Sequence, residues 1–381
     1  MTTHMVKHKT KLILQDWLFI LIAWQVAIGI SNLHSWAMLD FIDSQAFGAF
    51  SSFIHSNWAI WDGVFFGLFF GTLFAIIHTF SEYKLIRKLS FSRIILVKSG
   101  LYLLALILSS GLIFCAYWFL DIFPRETDWN FILKFIQPRF FIVGSIYMTF
   151  FILLINFLVL INRKFGHGNL WKFILGTYHK PKDENRIFMF LDLKGSTSIA
   201  EKLGHNLYSQ MIQNCFHDLT DFVVKYKAEI YQYVGDEVVL TWTTHNGLEN
   251  LNCIRLFFDF QQALEKRKAY YFKKFAHFPE FKAGMAMGPV TVVEIGDIKR
   301  EIAYHGDVLN TAARIQSKCN EFGKPLLISE NLESTLHQIA QTPSEFIGNI
   351  QLKGKENHVR IYAIDNGYEG PKQNHKVLVM N

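Results

Sequence analysis

The chain has 381 residues, 51% hydrophobic and 16% aromatic, with a formal net charge of +6, a length that allows two or three structural units. The charge makes no case for a nucleic-acid partner, because basic residues rimming apolar segments account for much of it. The cysteines at 115, 215, 253 and 319 have neither zinc nor redox spacing and read as buried thiols.

Composition divides near residue 165. Before it, four apolar stretches at 17–35, 61–80, 95–120 and 140–161 each approach or exceed the roughly 20 residues that cross a bilayer. The first is the least uniform, interrupted by Trp24, Gln25 and Asn32. Lys7, Lys9 and Lys11 precede the first stretch, Lys84, Arg87, Lys88 and Arg93 separate the second from the third, and Arg163, Lys164 and Lys172 follow the fourth. No Lys or Arg occurs between 35 and 60. The positive-inside rule therefore predicts an integral protein of the cytoplasmic or inner membrane, with the bilayer as partner and both termini in the cytoplasm. No small-residue cleavage pattern follows the first stretch clearly, so the spans read as retained. Residues 38–57 suit either an interfacial helix or an ordinary loop, and Lys98 is placed to snorkel. The expected organisation is a cytoplasmic segment at 1–16, a four-helix transmembrane domain at 17–161, a linker at 162–183, a soluble domain at 184–366 and a tail at 367–381. The linker has no heptads and at most a short helix at 170–175.

The soluble half begins with Ile187–Leu191, an apolar run ending at Asp192 and turning through Gly195-Ser196-Thr197 into a helix over 196–227, with a possible break at Gly204. Strand, tight turn and strand follow at Ile230–Trp242, with Asp236 in the turn. A helix is expected over 248–271, whose Lys266-Arg267-Lys268 run reads as a solvated face. Phe281–Gly288 and Val290–Ile295 suggest a strand pair; then come a helix from Asp307, a strand at Leu326–Ser329, a helix at Asn331–Ile339 and a hairpin of Phe346–Leu352 with Val359–Ile364. Mixed strands and helices with several hairpins fit a two-layer α+β sandwich better than a doubly wound sheet. Two carboxylates at neighbouring strand ends suit a hard divalent cation; a helix-capping aspartate and a turn aspartate are the structural alternatives. Glu237, next to Asp236, is expected on the opposite strand face and outside the ligand set.

Phe190-Leu-Asp-Leu-Lys-Gly-Ser-Thr197, Val234-Gly-Asp236, Tyr304-His-Gly-Asp-Val-Leu-Asn-Thr-Ala-Ala-Arg314 and Leu352-Lys-Gly-Lys355, in this order, resemble the catalytic domain of class III adenylyl and guanylyl cyclases over about 184–366. The membrane half supports no comparable assignment. The resemblance implies a ferredoxin-like core and cyclisation of ATP to cyclic AMP and pyrophosphate with two divalent cations, Mg²⁺ or Mn²⁺. It makes Asp192, Asp236 and the backbone of Leu193 the metal ligands. Lys194, Gly195, Ser196 and Thr197 would meet phosphate, Asn310 would orient the ribose, Arg314 would stabilise the transition state, and Lys353 would hold the triphosphate. Because the family divides these groups between two catalytic domains, the resemblance implies a homodimer with two shared sites.

Base choice departs from the family. Gln232 stands where adenylyl cyclases often have lysine and guanylyl cyclases glutamate, and Ala303 stands at the second base-reading position. An amide serves either purine edge, and the missing glutamate favours ATP over GTP. A guanylyl or dual-specificity cyclase stays open, as does a catalytically silent nucleotide-binding receptor. The Gly-Gly-Asp/Glu-Glu-Phe turn of diguanylate cyclases is missing, and the spans show no acidic pairs or repeats of a transporter. His305 is either a pH-sensitive group beside the site or a structural histidine.

Overall fold

The computed structural model describes residues 3–41, 57–84, 91–119, 138–165, 175–340, 342–351 and 358–365. Its contacts separate a unit spanning Lys9–His167 from one that contains Gly168–Asn381. The tail beyond 366, most of the short helix expected at 170–175 and most of the 38–57 segment lie outside the described residues.

The first unit consists of α1 (Thr3–Phe41), α2 (Asn57–Lys84), α3 (Phe91–Phe119) and α4 (Pro138–Phe165). All four are long and apolar enough to cross a membrane, over Ile13–His34, Gly63–Phe80, Ser92–Ser109 and Val143–Ile161. Leu14, Leu18, Ile22, Val26 and Ile30 form an exposed stripe at helical spacing, the arrangement expected of a lipid-facing side. The inner side packs Trp24, Phe70, Phe74, Tyr102 and Ile152. Lys98 does not snorkel: it is 2% exposed and its Nζ lies 3.4 Å from His78 Nδ1, while His78 Nε2 lies 3.7 Å from Asp16 Oδ2. Three apolar helices are thus joined by a buried polar chain that satisfies groups the bilayer would not.

The second unit is an α+β domain. In chain order it comprises β1 (Lys182–Leu193), α5 (Ser196–Lys225), β2 (Glu229–Val234), β3 (Glu237–Thr243), α6 (Thr244–Leu248), α7 (Asn252–Lys266), α8 (Lys268–Phe275), β4 (Phe281–Ile295), β5 (Glu301–His305), α9 (Asp307–Phe322), β6 (Leu326–Ser329), α10 (Glu330–Ala340), β7 (Glu345–Gln351) and β8 (His358–Ala363). The sheet order is β2-β3-β1-β4-β6-β8-β7, with β5 added to β4. Every pairing is antiparallel except β4 with β6.

Strand alternation divides β1 between two cores. Ile187, Met189, Leu191 and Leu193 enter a large core with α5, α7, α8 and α10. Phe188 and Phe190 face the other way, against Val308 and Ala312 of α9. Asp192 continues this second series, on the side that α9 covers.

Three expectations need correction. Gly288-Pro289 does not break β4: Pro289 falls opposite Asn185, and among the described residues no strand pairs with it on the other side, a position that tolerates a missing N–H; the hairpin partner is β5. The helix expected over 248–271 is broken at Leu251, which has φ 58, and again at Arg267. Arg267 is not merely solvated: it pairs with Asp218 and lies over the Tyr270 ring at 4.3 Å.

Gly284 lets α9 reach the sheet. A Cβ there would stand 2.1 Å from the Gln316 amide nitrogen and 2.5 Å from the Ala312 carbonyl oxygen, and backbone atoms cannot rotate away. Gly284→Ala should therefore cost about 3 kcal/mol, read as a lower urea midpoint for the detergent-purified chain. An unchanged midpoint would refute this close packing.

Candidate active site

Asp192 lies near the end of β1, with Lys282 opposite it on β4. Gln316 Nε2, from the sheet-facing side of α9, donates to Asp192 Oδ2 at 2.7 Å, and Lys282 Nζ is 3.4 Å from the same oxygen. Asp236 sits in the turn between β2 and β3, where Gly235 and Asp236 are the two linking residues. Its Oδ2 is buried without a hydrogen-bond partner. A buried carboxylate oxygen left unpaired is costly, so this atom points to a missing cationic partner.

The electrostatics tie these groups together. Burial first, and then the negative charge of Asp236, raises the Asp192 carboxyl above its ordinary value, while Lys282 and Gln316 act in the opposite direction. Glu237 is pushed up to about 7, by burial and then by Asp192 and Asp236. Tyr208 of α5 is pushed up to about 12, by burial and then by Asp236. Glu237 therefore feels the field of the acid pair, which does not by itself make it a ligand. Among the described residues no three His, Cys, Asp or Glu side chains gather to hold an ion. The donor set is two carboxylates, one with an orphaned oxygen, which fits a hard divalent cation that takes its remaining ligands from backbone, water or substrate oxygens.

The segment after Asp192 supplies backbone groups. Leu193 is buried, and Lys194 N donates to Glu280 O at 2.8 Å. Lys194 Nζ is 3.5 Å from Glu280 Oε2, both side chains being exposed. Gly195 has φ 70 and ψ 26, the left-handed conformation that admits glycine at little cost, and no side chain caps the helix that starts at Ser196. The first amides of α5, including those of Ser196 and Thr197, thus lack a side-chain cap and suit anionic oxygens.

Asn310 and Arg314 occupy another side of α9. Val308, Thr311, Ala312, Ile315, Gln316 and Cys319 form its buried face, whereas Asn310 is exposed and Arg314 half-buried. At 100° per residue Arg314 stands about 160° around the helix from Gln316. The helix that touches Asp192 with one face therefore turns Asn310 and Arg314 to other sides, away from it.

Gln232 is exposed on β2, just after a register shift between Ile230 and Gln232. This bulge pairs Gln232 with Val239, which belongs to the core containing Phe188 and Phe190, and so re-aims it toward that side. Ala303 is buried on β5 opposite Val293. Their neighbours Tyr231 and Tyr304 meet edge to face, with ring centroids 5.0 Å apart. His305 is exposed. Lys353, with its Leu352–Lys355 motif, lies outside the described residues. Sequence reasoning missed Lys282 and Gln316; a lone strand lysine carries no motif, and its relation to Asp192 exists only once β1 and β4 are in register.

The family described as the adenylate and guanylate cyclase catalytic domain matches residues 178–366. Adenylate cyclase 2 of Rhizobium meliloti is 30% identical over 213 residues, which cover 56% of this chain and 59% of that protein. The chain thus spans about three fifths of this relative's length. Among solved structures, the adenylyl cyclase CyaB from P. aeruginosa is 18% identical, with a TM-score of 0.45 over 51% of this chain and 100% of that one. The guanylate cyclase domain of RhGC from Catenaria anguillulae, solved with GTP, is 16% identical, with a TM-score of 0.40 over 48% of this chain and 98% of that one.

The acid cluster has a pH signature. A Glu237 carboxyl raised to about 7 binds its proton more tightly in the folded state than in the unfolded chain. In the metal-free protein its contribution is therefore full below about 4.5 and lost as pH rises toward about 7. Asp192 adds a slope of the same sign. Thermal melts from pH 4.5 to 8 in EDTA should show this decline, Mg²⁺ should shrink it, and Glu237→Gln should remove part of it. An identical slope in Glu237→Gln would disprove the assignment.

Proposed function

Residues 178–366 belong to the adenylate and guanylate cyclase catalytic domain family, and from that premise we propose that the chain cyclises ATP to 3′,5′-cyclic AMP and pyrophosphate in a membrane-anchored homodimer. The observation that carries the reading is the Asp192–Asp236 pair, with Asp236 Oδ2 buried and unpaired. In the reaction the ribose 3′-oxygen forms a bond to the α-phosphorus as the bond to the departing pyrophosphate breaks.

When bound to Asp192, Asp236 and the Leu193 carbonyl, two Mg²⁺ or Mn²⁺ ions supply the charge that favours 3′-hydroxyl ionisation and offsets the triphosphate. The chain's own groups do the rest. Amides at the start of α5, together with Lys194, face phosphate oxygens. Lys282 adds a cation beside Asp192, and Gln316 fixes that carboxylate's rotamer. Asn310 orients the ribose, Arg314 donates to oxygens where negative charge grows, and Lys353 holds the triphosphate. Gln232, Ala303 and the backbone near Tyr304 read the base; ATP is preferred because no glutamate accepts from the guanine edge.

Two chains are required because α9 presents Gln316 to its own Asp192 and turns Arg314 elsewhere. Two-fold pairing would place Asn310 and Arg314 of each chain at the acid pair of the other, forming two equivalent sites. The charge bias around the spans supports a cytoplasmic catalytic domain.

The test uses the detergent-purified chain with Mg²⁺ or Mn²⁺ and either ATP or GTP, quantifying both cyclic products. Cyclic AMP should predominate, and Asp236→Asn should lower turnover at least about a hundredfold. Mixing Asp192→Asn with Arg314→Ala chains should restore about a quarter of wild-type activity, since half of randomly paired dimers carry one intact site of two. Predominant cyclic GMP would overturn the substrate assignment, and failure of the mixture to regain activity would overturn the shared site. Nucleotide binding without product would favour the receptor alternative.

A further inference from the structure

Arg186, in the middle of β1, is only 1% exposed. A buried guanidinium persists only where its donors are matched, and this one has partners on three strands. Its Nε donates to Glu184 Oε2 of β1 at 2.8 Å, and its Nη1 is 3.4 Å from Glu229 Oε2 of β2. Its flat face lies over the Tyr304 ring of β5, 5.0 Å from the centroid, in cation–π geometry. Tyr304 also meets Phe188 of β1 at 5.4 Å and Tyr231 of β2 at 5.0 Å, both edge to face. Glu184 is held in turn by the Tyr178 hydroxyl, which donates to Oε1 at 3.0 Å.

The placement of these partners gives the cluster its meaning. β2 is an edge strand paired with β3, and β5 pairs with β4, so the two share one sheet through β3, β1 and β4 but have no direct ladder between them among the described residues. Yet Gln232 and Ala303 lie on β2 and β5, beside Tyr231 and Tyr304. On top of that shared sheet, side chains bridge the two strands directly: the two tyrosine rings meet, and the guanidinium bonds β2 and lies over the ring from β5.

We propose that Arg186 is a positioning residue for the purine pocket, clamping β2 to β5 and so fixing the distance between Gln232 and Ala303 on which discrimination between adenine and guanine depends. This rests on the cyclase reading above. It adds a determinant of base choice that touches neither nucleotide nor metal. The clamp matters more here because neither Gln232 nor Ala303 enforces one purine by its own chemistry: an amide presents both polarities and alanine presents none. Selectivity then comes from where the amide is held, and Arg186 holds it. A lysine in its place would keep the charge but lose the fork and the flat face needed to bond two carboxylates and stack on Tyr304.

The experiment compares the full-length detergent-purified protein with Arg186→Lys and with Glu229→Gln, which leaves the other contacts of Arg186 in place. Readouts are melting temperature, kcat and KM for ATP and GTP, and Kd for fluorescent methylanthraniloyl derivatives of both nucleotides. In Arg186→Lys the ATP-to-GTP preference should shift by about fivefold or more and KM for ATP should rise about tenfold, with kcat held within about threefold. Glu229→Gln should move the preference in the same direction by less. Folded variants that keep the wild-type preference and KM, with only a lowered melting temperature, would reduce Arg186 to a structural residue and overturn the proposal. If Arg186→Lys does not fold, Glu229→Gln decides alone. A wild-type protein that makes no cyclic product would sink the cyclase reading; the derivatives' Kd ratio would still judge the clamp, a shift supporting it and no shift, or no binding, overturning it.

Discussion

The repulsion between Asp192 and Asp236 is the constraint around which the soluble unit is built. Burial and the negative charge of Asp236 raise the proton affinity of Asp192, so holding that carboxylate as an anion beside Asp236 requires compensation. Lys282 and Gln316 provide some of it at Asp192, from β4 and α9. None reaches Asp236 Oδ2 among the described residues. The sheet can sustain this tension because its centre is rigid: β1 is flanked by β3 and β4 and buried on both sides, with alternate residues feeding two separate cores.

That burial explains which parts of the fold were legible in the sequence. Ile187–Leu191 announced a strand because it is apolar without alternation, as a strand covered on both faces must be. Glycines before Ser196 and at Gly235 marked the turns that present Asp192 and Asp236. Less legible was anything that depended on register. β5 was missed because Glu301–His305 has little strand signal until β4 supplies a partner, and β4 was divided at Pro289 because a missing N–H matters only if a neighbour needs it. Lys98 looked like a snorkelling lysine because its one-dimensional context is a span's end; His78 lies on another helix.

The candidate site divides along the same line. Asp192, Asp236, Asn310 and Arg314 carry motif spacing, so a resemblance could name them. Lys282, Gln316 and Arg186 carry none, yet each acts on a named position through space: Lys282 and Gln316 on Asp192, Arg186 on the strands bearing Gln232 and Ala303. Supporting residues are thus the part of a site that a single sequence conceals most effectively.

Helix α9 connects these observations to regulation. It is one rigid body with two assignments: Gln316 on its inner face bonds Asp192 of its own chain, while Asn310 and Arg314 on the outer side would serve the partner's nucleotide in the proposed homodimer. The absence of a side chain at Gly284 brings the helix backbone against the sheet, leaving little room for the two faces to move independently. A rotation of the domain that draws Arg314 out of the partner's site then carries its own Gln316 and Asp192 with it as one body, so both sites of the proposed dimer are disturbed together. In such a dimer a small change in domain pairing need not be transmitted through a chain of intermediates, because the element that closes one site is the same element that supports the other.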